Sequence, residues 1–430
     1  MTPTRPVLLA ALVFVLCASG QAQPAAEPNS AFALRDGDRV VFYGDSITEQ
    51  RLYTTDIEEY VLTRFPERNI RFINSGVGGD KVSGGWAGPV DLRLRRDVYA
   101  YQPTMITMML GMNDGYYRPL DPGIFSTYAD GYRRIVDQFQ ANLPQARLTL
   151  IQPSPFDDVT REPKFQPGYN ATLIRFAEFV QKLAQEKHAL TADMNSPVVD
   201  ALGKAKSIDR AMSTTLIVDR VHPGSGVHWL MAEAVLKVWS APAIVTSVHI
   251  DAAKGKVGDT ANTEVTQVRK IRSAIDWVQN DHALPLPFAP AEADPFTEFS
   301  ARVSDLNQAL NQESLFMRGL APGNYDLRID DRTVGTFTAE QLGAGVNLAV
   351  LDTPMVAQSR LLALDTERKN DIEAMRFKMA VDAREPEELE TIKKLEAALA
   401  RAVERQRKDA RPVPHRYSMV PAARETETKK

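Results

Sequence analysis

The sequence predicts a doubly wound α/β body, then a smaller mostly-β module and a helical tail. Three observations carry this. Between Arg39 and Trp239, short apolar runs alternate with amphipathic stretches of helical period. After Ser240-Ala241-Pro242, the pattern changes to short segments that alternate apolar and polar residues. Helical spacing returns near the C-terminus.

In the first region, Arg39–Tyr43, Asn69–Asn74, Met105–Leu110, Arg147–Gln152 and Ala189–Ala192 read as strands. They are apolar almost throughout, as strands buried on both faces of a parallel sheet are. The helices between them are legible by spacing. Ile124, Tyr128, Tyr132, Ile135 and Phe139 share one face, as do Leu173, Phe176, Phe179, Val180 and Leu183. Gly224–Trp239 opens just after Pro223 and carries Val227, Leu230, Met231, Val235 and Val238. In the second region, Thr246–Asp251, Glu264–Arg269, Ser273–Gln279, Ser314–Leu320, Tyr325–Asp330 and Thr333–Phe337 read as strands, and residues 294–312 as a polar helix. In the tail, Glu385–Arg411 opens with Pro386 and glutamates and closes with Arg405, Arg407, Lys408 and Arg411, a charge order that complements the helix dipole. The expected division is a signal segment over 1–22, a catalytic body over 31–242, the β module over 243–345 and the tail with a disordered end over 346–430.

Composition narrows the classes. With 430 residues, more than one folding unit is expected. Net charge is −4, so no global basic field favours nucleic acid. Arg5, the apolar run Val7–Cys17 and Gly20-Gln21-Ala22 form an export signal with cleavage expected after Ala22. The run is too short for a permanent membrane anchor, and Leu16 does not fit a lipoprotein reading of Cys17. Cys17 is the only cysteine, so the mature chain has no disulfide, thiolate nucleophile or cysteine-ligated metal. A periplasmic or secreted protein is expected.

Four segments at predicted strand ends carry chemistry: Gly44-Asp45-Ser46, Gly76-Val77-Gly78-Gly79-Asp80, Gly111-Met112-Asn113-Asp114 and Asp219-Arg220-Val221-His222. Ser46 fits two roles. It can be a nucleophile at the carboxyl edge of the sheet, where open α/β folds place ligands. It can equally be a helix N-cap, with Glu49 completing a capping box. His222 has the chemistry of a base that activates a serine, and Asp219 can fix its tautomer. Gly79 lets the backbone approach a substrate closely, and Asn113 offers an uncharged amide donor. Each of these loops could also be a plain turn. His188, His228, His249, His282 and His415 have no such company.

Together the four segments resemble the SGNH, or GDSL-type, hydrolases over Arg39–Trp239. The resemblance implies a flavodoxin-like three-layer α/β/α sandwich. It also implies Ser46 as nucleophile, a triad with His222 and Asp219, and an oxyanion hole from the Ser46 amide, the Gly79 amide and the Asn113 side chain. No cofactor or metal is required. Asp45, Trp86, Tyr116 and Tyr117 are candidate substrate contacts. The expected activity is hydrolysis of small carboxylic esters, with O-acetyl groups on carbohydrates preferred. A lipase, lysophospholipase or thioesterase with the same triad is the neighbouring reading. A non-catalytic polysaccharide- or partner-binding protein is the reading from another class. No oligomeric state is read from the sequence.

Overall fold

The computed structural model describes residues 31–287, 295–382 and 385–423. The export signal and the polar end at 424–430 lie outside these residues.

Five strands form one fully parallel sheet: β1 (Arg39–Gly44), β2 (Arg71–Gly76), β3 (Met105–Met109), β4 (Arg147–Ile151) and β5 (Leu190–Ala192). Their order is β2-β1-β3-β4-β5, the flavodoxin-like arrangement. The middle three are apolar because both faces are covered: Val40, Val41, Phe42, Met105, Met108 and Leu150 are at most 1% exposed. The covering helices are α1 (Ser46–Glu49), α2 (Leu52–Arg64), α3 (Val90–Asp97), α4 (Pro122–Asn142), α5 (Tyr169–Glu186), α6 (Ser196–Ile208) and α7 (Ser225–Val238). Each amphipathic stretch read from the sequence is one of these helices. Tyr128, Tyr132, Ile135 and Phe139 of α4 are buried, as their spacing requires.

The β module is a sandwich. One sheet contains β6 (Ile244–Asp251) and β7 (Lys256–Ala261); the other contains β8 (Thr263–Ile271) and β9 (Ala274–Asp281). The first is completed by β10 (Gln312–Arg318) and the short β13 (Val346–Asn347), and the second by β11 (Asn324–Ile329) and β12 (Arg332–Thr338). Val248, Ile250, Leu315 and Met317 from one sheet meet Ile275, Trp277, Leu327 and Ile329 from the other in a single core.

Two features depart from the division drawn on sequence. Leu286, Phe299, Val303, Leu306 and Leu310 pack into the core of the α/β body, not that of the sandwich. After two long helices, α8 (Pro354–Asp382) and α9 (Pro386–Asp409), the chain returns as a strand, β14 (His415–Pro421), which pairs with both β9 and β11. Among the described residues, no helix is long and apolar enough to cross a membrane.

Candidate active site

All four sequence segments end at the carboxyl edge of the parallel sheet. β1 delivers Ser46, β2 the 76–80 loop and β3 Asn113, while the loop before α7 delivers Asp219 and His222. Close packing beneath the short helix that begins at Ser46 requires glycine at one strand end. A Cβ on Gly76 would lie 2.3 Å from the Glu49 amide nitrogen.

Ser46 is not the N-cap of its helix. Asp45 is, with Oδ1 accepting from the Ile47 amide at 3.0 Å. Glu49 does not complete a capping box; its Oε2 accepts from the Gly78 amide at 2.8 Å. The Ser46 hydroxyl is therefore free to face another partner, and it lies 2.8 Å from His222 Nε2. His222 Nδ1 lies 2.6 Å from Asp219 Oδ2. The other oxygen of Asp219 accepts from the Val221 and His222 amides at 2.9 and 2.8 Å. Partial burial raises the Asp219 carboxyl, but these hydrogen bonds outweigh it and hold the group below its ordinary pKa. An ionised Asp219 makes Nδ1 the protonated nitrogen and leaves Nε2 to accept the serine proton.

The loop that ends in this pair is clamped from behind. Arg161 donates to the carbonyls of Thr214, Ile217 and Val218 at 2.5–2.7 Å. Arg220, at φ 72°, has its carbonyl fixed by the Asp157 amide at 2.9 Å.

Gly79 has φ +75°, and a Cβ there would meet nothing within 4 Å. Among the described residues, neither its amide nor that of Ser46 donates to a protein acceptor. The Gly78 amide, by contrast, is committed to Glu49. Asn113 Nδ2 donates to the Asp80 carbonyl at 3.1 Å, and its Oδ1 accepts from the Tyr117 hydroxyl at 2.9 Å. A carbonyl can only accept, so this pair of partners fixes the amide's orientation. One N–H of Asn113 is left for a ligand. Asp80 is held in turn by Arg93, which is fully buried with its Nε 2.9 Å from Asp80 Oδ2 and also pairs with Asp97.

The candidate substrate contacts divide. Trp86 and Tyr116 are 65% and 56% exposed on loops at this edge, and the Tyr116 ring lies under Lys81. Tyr117 forms one wall of a cavity of about 250 Å³, shared with Phe156, Phe165, Tyr169, Lys164 and Asp219. Burial, with Asp45 and Asp219 nearby, pushes its hydroxyl up to about 12, so it stays a hydrogen-bond donor. Asp45 is a correction. It is 1% exposed and turned inward as a cap, so it does not reach a substrate. Burial, and then the charges of Asp114 and Asp80, push it up to about 7.

Sequence reasoning missed Arg93 and Arg161, and gave Glu49 only a capping part. Nothing in their spacing marks them; their partners are brought to them by the fold.

Residues 42–230 match the model of the GDSL-like lipase/acylhydrolase family. An acetylxylan esterase of Geobacillus stearothermophilus is 25% identical over 221 residues, 47% of this chain and 93% of that protein. A solved structure described as a gut microbial diltiazem-metabolizing enzyme superposes with a TM-score of 0.80 at 24% identity. That likeness covers 90% of this chain and 98% of the other. It is a likeness of fold, and it takes in the C-terminal extension as well as the α/β body.

Proposed function

Because the chain belongs to the GDSL-like lipase/acylhydrolase family through residues 42–230, and so hydrolyses ester bonds, we propose that it does so through Ser46, His222 and Asp219. The observation that carries this reading is the unbroken chain of contacts, 2.8 Å from serine to imidazole and 2.6 Å from imidazole to carboxylate.

His222 Nε2 takes the Ser46 proton as Oγ attacks the acyl carbon. The charge that develops on the carbonyl oxygen is met by the Ser46 and Gly79 amides and by the Asn113 side chain. The imidazolium, stabilised by Asp219, then gives its proton to the departing alcohol. Water attacks the acyl-enzyme by the same route and frees the acid.

The substrate class is a short acyl ester, above all an O-acetyl group on a carbohydrate. Three features support this. The acetylxylan esterase matches across nearly its whole length. The cavity beside Asp219 is small and aromatic. Trp86 and Tyr116 offer exposed rings at the same edge, on which a sugar face could stack. The apolar N-terminal run supports export to where such polymers are met.

The test is hydrolysis of p-nitrophenyl acetate, butyrate and octanoate by protein lacking residues 1–22, beside Ser46→Ala. Acetate-preferring turnover that disappears in the variant is the expected result. Turnover that rises with acyl length would move the reading to lipids. Turnover that survives Ser46→Ala would remove the nucleophile.

A further inference from the structure

α8 belongs to the C-terminal extension in sequence, yet it lies along α2 of the α/β body. Its inward face is a stripe at helical spacing: Lys369, Asn370, Glu373, Arg376, Phe377 and Val381 are all buried. The polar members find partners on the body. Lys369 Nζ lies 2.7 Å from Glu58 Oε2, and Asn370 donates to Thr55 Oγ1 at 2.9 Å. Arg376 donates to the Tyr101 hydroxyl at 2.8 Å. Towards the end of the helix these contacts give way to an apolar cluster in which Phe377 and Val381 pack against Val77 and Ala87.

Val77 is the anchor of the oxyanion loop. It is 1% exposed. Its amide donates to the Gly44 carbonyl at 3.0 Å, and its carbonyl accepts from the Asp80 amide at 3.2 Å. Gly78 and Gly79 follow it and have no side chains with which to pack. Lys378 adds a charge contact, with Nζ 3.9 Å from Glu49 Oε1, while the other oxygen of that carboxylate holds the Gly78 amide. This contact is half open to water and is worth little by itself.

We propose that α8 sets the oxyanion loop: Phe377 and Val381 are positioning residues that act through Val77 to aim the Gly79 amide. The inference rests on the reading of that amide as an oxyanion donor. Such a donor works only when held within about 0.5 Å of its productive place. A glycine pair cannot hold itself there, so the C-terminal extension completes a site whose reacting groups all come from the α/β body.

The test compares Phe377→Ala, Phe377→Leu and Val381→Ala with Met375→Ala, which is exposed on the same helix. Each is made in the full mature chain. The readings are kcat and KM for p-nitrophenyl acetate, per active site counted by fluorophosphonate labelling, and the rate of that labelling. Phe377→Ala is expected to lower kcat about tenfold, with KM within about twofold of wild type and labelling slowed in parallel. Phe377→Leu should recover most of the loss, and Met375→Ala should behave as wild type. A kcat per labelled site that is unchanged in Phe377→Ala would overturn the proposal, as would a rise in KM alone. If Phe377→Ala does not fold, Val381→Ala decides by the same criteria, with an expected loss of a few fold. A wild-type protein that does not label at Ser46 is a separate failure: it removes the nucleophile, and this inference with it.

Discussion

His222 stands on the loop before α7, with one ring nitrogen on Ser46, the other on Asp219, and 37% of its side chain exposed. Within α7 itself, His228 is fully buried. Its Nδ1 accepts from the Tyr53 amide at 3.2 Å, and its Nε2 faces Gln50 Oε1 at 3.3 Å. Tyr53 lies in the first turn of α2, where backbone amides have no acceptor within the helix. His228 is thus a cap supplied from another helix, and burial pushes its pKa down to about 3, which keeps the ring neutral. The comparison teaches that imidazole chemistry is set by what each nitrogen faces. A ring between a hydroxyl and a carboxylate, open on one side, can move a proton. A ring that serves a backbone amide inside a core is part of the frame.

The sharpest way to break this distinction is to truncate both rings. His222→Ala should lower kcat/KM by on the order of 10⁴ or more and leave the denaturant midpoint close to wild type. His228→Ala should do the reverse. It strands the Tyr53 amide and opens a cavity, at a cost of about 2–3 kcal/mol in unfolding free energy, while kcat stays within a few fold. Equal losses of activity in the two variants would erase the difference.

A smaller effect separates the donor from its holder within the site. Asn113→Ala should cost about 10²–10³ in kcat, with little change in stability, since its side chain is only part-buried. Tyr117→Phe removes just the hydrogen bond that orients Asn113 and should cost a few fold in kcat. A larger loss in Tyr117→Phe than in Asn113→Ala would mean that the hydroxyl itself meets the substrate.

The α/β body was readable because its strands are buried on both faces, so each is an apolar run in sequence, and because Ser46 and Asn113 follow closely on strand ends; Asp219 and His222, also expected at a strand end, lie instead on the loop before α7. Ser46, Asn113, Asp219 and His222 announce themselves by type and neighbourhood. The β module was less readable. Lys256–Ala261 is exposed almost throughout and contains Gly258 and Asp259, so it shows no alternation. His415–Pro421 does alternate, with His415, Tyr417 and Met419 inward. Its meaning nevertheless depends on two strands far away in sequence, and the helices before it favour reading a tail. Phe377 illustrates the same limit within a helix. The face it shares with Lys369, Asn370, Glu373 and Arg376 is mostly polar, so no apolar stripe marks it, and only the fold says that the surface it meets is the loop before Gly79.

The finest test is the pH dependence of folding, because buried groups shifted in opposite directions contribute with opposite signs. His222 must be neutral to accept the Ser46 proton, and Asp219 is held below its ordinary value and stays ionised. The buried acids set the pH dependence of folding. Burial pushes Asp45 and Asp114 up to about 7, Glu233 to about 7 and Glu59 to about 8. An acid whose folded pKa lies above its unfolded value binds more protons when folded. Its contribution to stability is present in full below about 4 and is lost as pH rises through the folded value. The carboxyls held below their ordinary value, among them Asp38, Asp219 and Asp330, act the other way. Their contribution is already complete above the ordinary carboxylate range. His228, held at about 3, opposes the raised acids while pH climbs towards its ordinary value, but it is one group against the four acids above, so between pH 5 and 8 those acids set the sign of the slope. The melting temperature should fall across this window. Asp114→Asn, which cannot ionise, should flatten the melting profile. A profile as steep in that variant as in wild type would mean that Asp114 is already charged in the fold.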